Sequence, residues 1–203
     1  PVDHRLHGRQ PATGLVALHR GAQTAMAFTL ETERLQLREF TPEDAGYALR
    51  QLNEPSFIEN IVDRGVRDLE QARAYLLNGP MSGYAHHGYG LWAVVEKSSG
   101  QIIGMCGLIK RPNLDHADLG YAFLPEYFGK GFAFEACTAS IAAASRDFGL
   151  PQLLAIVNPD NTPSRHLLEK LGFRLQEIGV VHAGEPALCI YHCKPGNVLP
   201  KHT

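Results

Sequence analysis

The sequence predicts a mixed α/β fold (α+β) with a mostly antiparallel sheet. Apolar runs at residues 91–96 and 101–110 flank a short turn, as in a hairpin. An alanine-rich run at residues 132–148 has the length of a helix and separates two strand-like segments, so it predicts a crossover between parallel strands. The 203 residues, 44% of them hydrophobic, suffice for one domain with a core.

The elements before the hairpin are one strand and two helices. Residues 34–38 alternate polar and apolar and predict a strand. Thr41 before Pro42 predicts the start of one helix. Asp68 starts a second helix that a capping box supports and that Gly79-Pro80 ends, and 54–67 is a loop with room for a short helix. His86 and His87 then fall in a glycine-rich loop, with no further ligands that would make them a metal pair.

The later elements complete a sheet of seven strands with about four helices. A parallel pair of strands lies among antiparallel neighbours, and there the sheet can splay. In the helix that ends at Leu171, Gly172 fits a left-handed C-cap and Phe173 can pack back on Leu168. The segments are strand 117–124, helix 132–148, strand 153–157, helix 161–171 and a hairpin of strands at 174–182 and 187–193.

Composition excludes several classes of protein. A net charge of −2 gives no single-sign field, so nucleic acid is not an expected partner. No apolar run approaches the roughly 18 residues of a membrane span. The four cysteines match no common zinc spacing and favour a reducing, cytoplasmic setting. We therefore expect neither a metal nor a membrane partner.

Residues 1–27 form a separate segment. They are rich in Arg and His, and their best apolar run, Leu15 to Leu18, is too short for a signal peptide. We expect an accessory or poorly ordered extension at 1–27, a single domain at 28–194 and a tail at 195–203.

Two helix starts follow the two parallel strands. Gly129-Lys130-Gly131 precedes the first, where unpaired N–H groups and the helix dipole favour an anion such as a diphosphate. The dinucleotide fingerprint fails because Phe134 occupies its third glycine position, and no Ser or Thr completes a nucleoside triphosphate loop. At the second start, Asn161 either caps its helix or presents its amide to a ligand.

Residues 30–173 resemble the GNAT superfamily of acyl-CoA-dependent N-acyltransferases, and most of all the branch with the ribosomal-protein N-terminal acetyltransferases. The resemblance rests on LETERLQLREFTPEDA, GLWAVVEKSSGQIIGMCGLI, DLGYAFLPEYFGKGFAFEA and NPDNTPSRHLLEKLGF. It implies the GNAT fold and acetyl-CoA as co-substrate. The implied cofactor-binding residues are Phe123, Leu124, Phe128, Gly129, Lys130, Gly131, Phe132, Ala133, Asn161 and Ser164.

The chain departs from the family pattern at two positions. The family loop reads Gln/Arg-x-x-Gly-x-Gly/Ala, and its first position falls on Phe128, whereas Gly131 and Ala133 fill the others. The contacts of this loop are mostly made by backbone N–H groups, so cofactor binding is expected to survive. Leu168 stands where many relatives use a Tyr to protonate the departing thiolate, so another group must serve as the acid.

The resemblance also indicates the catalytic residues. Asp118 falls where relatives often carry a glutamate base; its alternative is a strand-edge carboxylate with a local hydrogen bond. Ser164 is the candidate for thiolate protonation, unless it is an ordinary first-turn residue, and Tyr121 is a weaker alternative. His116 shares the face of Asp118 by strand alternation, but a solvated loop end is favoured for it. A backbone N–H near Phe123 would stabilise the oxyanion.

The predicted function is transfer of an acetyl group from acetyl-CoA to a primary amine by direct attack. Cys106 and Cys137 lie in apolar segments without a nearby base, which disfavours a covalent enzyme intermediate. The alternatives are a non-catalytic acyl-CoA sensor and, on weaker grounds, a nucleotide-dependent enzyme. The acceptor is expected to be a protein N-terminus or a small-molecule amine. The linker acids Glu54, Glu59 and Asp63 could attract a cationic amine, but Arg64 and Arg67 balance them, so a solvated face is favoured for the linker. The chain is expected to be a monomer or homodimer.

Overall fold

A computed structural model describes residues 26–198. In this part of the chain, eight strands form one sheet in the order β1-β2-β3-β4-β5-β6-β8-β7. Every neighbouring pair is antiparallel except β5 and β6. The strands are β1 (Thr29–Glu31), β2 (Leu35–Arg38), β3 (Leu91–Glu96), β4 (Ile102–Ile109), β5 (Asp118–Phe123), β6 (Leu153–Val157), β7 (Arg174–Gly179) and β8 (Leu188–Cys193).

Six α-helices and three short 3-10 turns accompany the sheet within the described residues. The helices are α1 (Ala45–Asn53), α2 (Pro55–Asn60), α3 (Leu69–Asn78), α4 (Pro80–His87), α5 (Phe132–Arg146) and α6 (Thr162–Lys170). The 3-10 turns are Pro42–Asp44, Pro125–Tyr127 and Pro195–Asn197.

The mixed, mostly antiparallel sheet with one parallel pair is confirmed, as are its seven predicted strands. The short strand β1 and the helix α4 were not predicted. The loop assigned to His86 and His87 is wrong, because both residues form the last turn of α4. Proline is well tolerated at the first helical position, so Gly79-Pro80 ends α3 and also begins α4.

The caps of two helices follow the predicted pattern with one shift. Gly172 is left-handed with φ +91°. The Phe173 N–H donates to the Leu168 carbonyl at 3.0 Å, which closes α6 as predicted. At α3 the Asp68 carboxylate accepts from the Gln71 N–H, as in a capping box. The Gln71 side chain, however, accepts from the N–H of Arg67, the residue before the N-cap, and not from that of Asp68.

Helices cover both faces of the sheet. On the α1–α3 face, Leu52 and Leu76 are fully buried in a cluster with Met105 of β4. On the α5–α6 face, Ile141 and Leu168 lie in a second cluster with Tyr191 of β8. The sheet therefore separates two cores, and a ligand can meet both cores only where the sheet opens.

Only parts of the predicted N-terminal extension and C-terminal tail lie within the described residues. Of the predicted extension at residues 1–27, only residues 26 and 27 lie within the described part, and Met26 is exposed. Residues 195–198 of the predicted tail continue the packed domain. Pro195 is buried, and Val198 packs against the α5–α6 core. Residues 199–203 lie outside the described residues.

The sheet opens between β5 and β6. Their ladder contains a single pair, Asp118 with Leu154, joined by the bond from the Leu154 N–H to the Ala117 carbonyl at 2.9 Å. Beyond that pair each strand keeps its other neighbour, β5 pairing with β4 and β6 with β8. The two strands therefore diverge towards their carboxyl ends, where α5 and α6 begin.

Candidate active site

A cavity of about 990 Å³ lies in the gap between β5 and β6. Tyr75 and Met105 line it from the α1–α3 face, and Phe132 and Leu168 line it from the α5–α6 face. The cavity therefore passes through the plane of the sheet. Two molecules can enter it from opposite faces and meet beside β5.

The start of α5 is uncapped and faces this cavity. Its N-cap residue is Gly131, with φ +81°, and no side chain in the described part of the chain caps the first turn. Gly129 also has a positive φ, +71°. Gly129, Gly131, Phe132 and Ala133 all line the cavity. The N–H groups of the first turn have no intrahelical partner, so this start can bind an anion.

Arg34 braces the loop before α5, and sequence reasoning missed it. Its Nη1 donates to the Lys130 carbonyl at 2.9 Å and its Nε to Glu135 Oε2 at 2.7 Å, while the guanidinium lies 4.3 Å from the Phe132 ring centroid. Burial alone would raise the pKa of Glu135, but hydrogen bonds from Thr32 and Arg34 hold it below its ordinary value. These contacts join the loop before α5 to the turn before β2.

Three predicted loop residues occupy different environments. The Lys130 side chain is exposed, with Nζ 5.6 Å from the Tyr127 ring centroid. Leu124 is buried, and its N–H donates to the Ile103 carbonyl of β4. Neither Lys130 nor Leu124 lines the cavity, whereas Phe128 does and is 54% exposed.

The start of α6 is capped by its own residues. Asn161 Oδ1 accepts from the Ser164 N–H at 3.2 Å, so the capping role is present and only the amide Nδ2 remains for a ligand. Asn161 and Ser164 both line the cavity. The second predicted helix start is thus next to the first, but its backbone is already partly satisfied.

Tyr121 and Ser164, the two candidates for the acid, are brought together. The Tyr121 hydroxyl lies 2.5 Å from Ser164 Oγ. Burial raises the pKa of Tyr121 above its ordinary value, so the phenol stays protonated. Leu168 is buried in the cavity wall and offers no proton. The pair can supply the proton that a Tyr at position 168 supplies in relatives.

Asp118 lies at the last paired position before the strands diverge. It is 1% exposed, and Arg111 Nε donates to its Oδ1 at 2.9 Å. Burial raises the pKa of the Asp118 carboxyl, although the Arg111 charge opposes the shift. His116 lies outside β5, half-buried, and does not line the cavity.

Strand alternation places the two candidate groups on opposite faces. Phe123 and Leu119 pack in the α5–α6 core and Tyr121 packs against it, whereas Ala122 packs against the α1–α3 core. Asp118, an even number of residues from Ala122, therefore faces the α1–α3 side. A base on one face and an acid on the other suit a reaction that takes a proton from one substrate and gives one to another.

The backbone of β5 also faces the gap. Because the Leu124 N–H points to β4, the N–H and carbonyl of Phe123 point away from β4, towards β6. The Phe123 carbonyl accepts from Gln51 Nε2 at 3.3 Å, and Gln51 Oε1 accepts from the Tyr47 hydroxyl at 2.9 Å. Gln51, a buried polar residue of α1, gave no signal in the sequence. The Phe123 N–H is placed to stabilise an oxyanion.

Buried Cys137 is a poor nucleophile. Cys106 Sγ lies 3.7 Å from Cys137 Sγ, and burial holds the pKa of Cys137 well above its ordinary value.

Within residues 26–198, no three His, Cys, Asp or Glu side chains converge as a metal site would require. None of the helices in the same range has the length and apolar content of a membrane span.

Comparison with known proteins identifies the family. The Acetyltransferase (GNAT) domain family matches residues 34–174, more than half of the chain. The chain belongs to the GNAT acetyltransferase family. This GNAT protein is 32% identical over 151 residues to the uncharacterized N-acetyltransferase p20 of Bacillus licheniformis, a match that covers 72% of this chain and 82% of p20. The predicted family and the acyltransferase class are confirmed.

Solved structures share the fold. A GNAT-family acetyltransferase from Bacillus anthracis superposes with a TM-score of 0.69 at 23% identity, covering 84% of this chain and 100% of its own. The ribosomal L7/L12 α-N-protein acetyltransferase RimL, solved with coenzyme A, gives 0.71 at 13% identity, covering 82% of this chain and 98% of its own. The neighbours thus include the ribosomal-protein branch that the sequence resembles, and at these identities they show the fold alone.

Proposed function

We propose that this acetyltransferase moves the acetyl group of acetyl-CoA to a primary amine, either a protein N-terminus or a small molecule, by direct attack. One observation carries the proposal. The gap between β5 and β6 lies beside the uncapped start of α5, and residues from both faces of the sheet line the cavity there. A thioester held at α5 would present its carbonyl in the gap, and the amine would approach from the α1–α3 face.

The cofactor would bind mainly through main-chain groups. The diphosphate would accept hydrogen bonds from the N–H groups between Gly129 and Phe134, where the helix dipole adds favourable charge. Lys130 and Leu124 would take part through their backbone alone, because their side chains do not line the cavity. The proposed set is Phe123, Leu124, Phe128, Gly129, Lys130, Gly131, Phe132, Ala133, Asn161 and Ser164. The complex of RimL with coenzyme A supports a cofactor of this kind.

Asp118 would act as the general base, directly or through a water. An alkyl ammonium has a pKa of about 8 to 10.4, so most of the acceptor is protonated at neutral pH. The raised pKa of Asp118 makes it a stronger base than an exposed carboxylate. The position of Asp118 on the α1–α3 face puts it on the side from which the amine would come.

The neutral amine would attack the thioester carbonyl. A C–N bond forms, the carbonyl π electrons move to oxygen, and the Phe123 N–H stabilises the oxyanion. Collapse of the intermediate breaks the C–S bond, and the Tyr121 hydroxyl protonates the departing thiolate. The tyrosinate then regains a proton from solvent, while Ser164 stabilises it by a hydrogen bond. The ammonium loses two protons and the thiolate gains one, so the products are the amide, CoA thiol and one proton.

Calorimetry with CoA and a thiol-release assay over a panel of amines test this proposal. We expect CoA binding and amine-dependent thiol release. Asp118→Asn should lower kcat by roughly 100-fold or more, within the usual range for a general base, and leave CoA affinity unchanged. Failure to bind CoA and acetyl-CoA at millimolar concentration would refute the proposal. Binding without turnover of any amine would instead favour the sensor.

A further inference from the structure

The part of the cavity on the α1–α3 face is mostly apolar. Asp118 faces it, so the acceptor would lie here if the proposed function holds. An acceptor with a hydrocarbon body would bury it against these side chains and gain hydrophobic contact. The apolar lining comes from Phe57, Ile61, Val62, Tyr75 and Met105.

Two guanidinium groups interrupt this apolar lining. Among the described residues, Arg64 makes no hydrogen bond or ion pair, and Arg111 bonds only through Nε, to Asp118. The hydroxyl of Tyr75 lies within electrostatic range of both arginines. Two partly unsatisfied cations beside an apolar wall indicate an anionic group on the acceptor. The titratable Asp, Glu, His, Lys and Arg side chains along the whole cavity are Arg64, Arg111, Asp118, Lys170, His182 and Glu185.

Arg111 has two edges with different partners. Its Nε edge binds Asp118, whereas its two η nitrogens keep contact with solvent and have no acceptor among the described residues. The side chain is only 23% exposed, so the free edge belongs to the cavity region. A guanidinium matches a carboxylate with two parallel hydrogen bonds. A carboxylate bound there would lie on the same planar group that holds the base.

We propose, on the basis of the proposed function, that the acceptor is a free α-amino acid with an apolar side chain. Its carboxylate would bind Arg111 and Arg64, its α-amine would lie at Asp118, and its side chain would contact the apolar wall. The amine and carboxylate of an α-amino acid are one carbon apart, which fits the adjacent Arg111 and Asp118. A polyamine would bring further positive charge against both arginines, and a protein N-terminus lacks the carboxylate.

The test compares amino acids with their own derivatives. Thiol release from acetyl-CoA would be measured with L-leucine, L-methionine and L-phenylalanine, each beside its amide and its decarboxylated amine. We expect kcat/KM for each amino acid to exceed that of its amide by at least about tenfold, as the loss of a charge-assisted bond predicts. Equal or faster turnover of the amides would overturn the inference and leave acetyl transfer to amines standing. No turnover of any amino acid would overturn it too, and CoA calorimetry then shows whether the proposed function falls with it.

Two variants locate the carboxylate. Arg111→Gln should lower kcat/KM for leucine by roughly 10- to 100-fold and change that for leucinamide much less. Arg64→Gln, at an exposed position, should act in the same direction and keeps the test valid if Arg111→Gln fails to fold. Arg73→Gln is the matched control, because Arg73 is an exposed α3 residue that does not line the cavity. Equal losses for leucine and leucinamide in both variants would overturn the assignment.

Discussion

Two helices begin at the same edge of the sheet, and only one of them has a side-chain cap for its unpaired N–H groups. Helix α5 starts behind Gly131, which has no side chain and a positive φ of +81°. Helix α6 starts behind Asn161, whose side chain accepts from the Ser164 N–H. Both starts line the same cavity, one with bare backbone and the other with a satisfied cap.

The difference in capping suggests that the two helix starts contact different parts of the cofactor. An uncapped start keeps its donors for a ligand, and the brace from Arg34 holds the loop so that little ordering is needed on binding. A capped start is stable without a ligand, so its contribution comes from side chains such as Ser164. We therefore expect α5 to determine cofactor affinity and α6 to act mainly on the sulfur end of the thioester.

The largest expected effect is on CoA affinity, when a carboxylate is placed at the start of α5 and compared with one at the start of α6. Ala133→Glu would put a negative charge beside the proposed diphosphate, where the repulsion is worth several kcal/mol, and should weaken CoA binding by at least about 100-fold. Thr162→Glu puts the same charge at α6, at an exposed position that does not line the cavity, and should change the affinity by less than about threefold. Calorimetry with CoA measures both, and similar losses would abolish the distinction between the two starts.

The next effect concerns the proton for the thiolate. Tyr121→Phe should lower kcat by roughly 10- to 100-fold, at the low end of general-acid effects because a thiolate is already a fair leaving group. Ser164→Ala keeps the Tyr121 hydroxyl and should cost less. Tyr121→Phe should leave CoA affinity unchanged, whereas Ser164→Ala should weaken it by no more than a few-fold, because Ser164 also belongs to the proposed cofactor-binding set. A Tyr121→Phe enzyme with full kcat would remove Tyr121 as the acid, and a large loss of CoA affinity would give α6 a binding role instead.

A smaller effect separates the two roles of Asn161. Asn161→Ser keeps a capping oxygen and loses the amide, so it should weaken CoA binding by a few-fold and change stability by only a few tenths of a kcal/mol. Asn161→Ala loses both and should also lower the free energy of unfolding by about 1 kcal/mol. Paired denaturation and calorimetry check the two variants. Unchanged affinity in both would make Asn161 a cap alone.

Local signals predicted much of the fold. The hairpin turn between β3 and β4, the crossover helix α5 and the glycine cap after Leu171 are each specified by local sequence. Gly79-Pro80 shows the limit of such signals, because the same pair can end one helix and begin another. Here α4 begins at Pro80 and packs against both α3 and β3.

The candidate site was less accessible to sequence reasoning. The glycine loop and Asp118 carry recognisable patterns. The bonds from Arg34 to Glu135 and from Gln51 to Phe123 join residues 101 and 72 positions apart, and no local pattern encodes such pairs. The contact between Tyr121 and Ser164, 43 positions apart, likewise depends on how closely α6 packs against β5. Sequence reasoning could name both residues but could not place them together.

The smallest effect concerns Asp118, at the closed end of the gap, away from both helix starts. Burial raises its pKa in the folded state, so between the unfolded and the folded pKa the native protein binds more protons than the unfolded chain. Stability from this group is present at low pH and is lost as pH rises through that window. The Asp118→Asn side chain does not titrate. The melting temperature of the variant minus that of the wild type should therefore increase as pH rises from about 4 to 7. Thermal unfolding of both proteins across that range measures the difference. If that difference decreased with pH instead, the ion pair with Arg111 would outweigh burial in setting the pKa of Asp118, and Asp118 would be a weak base.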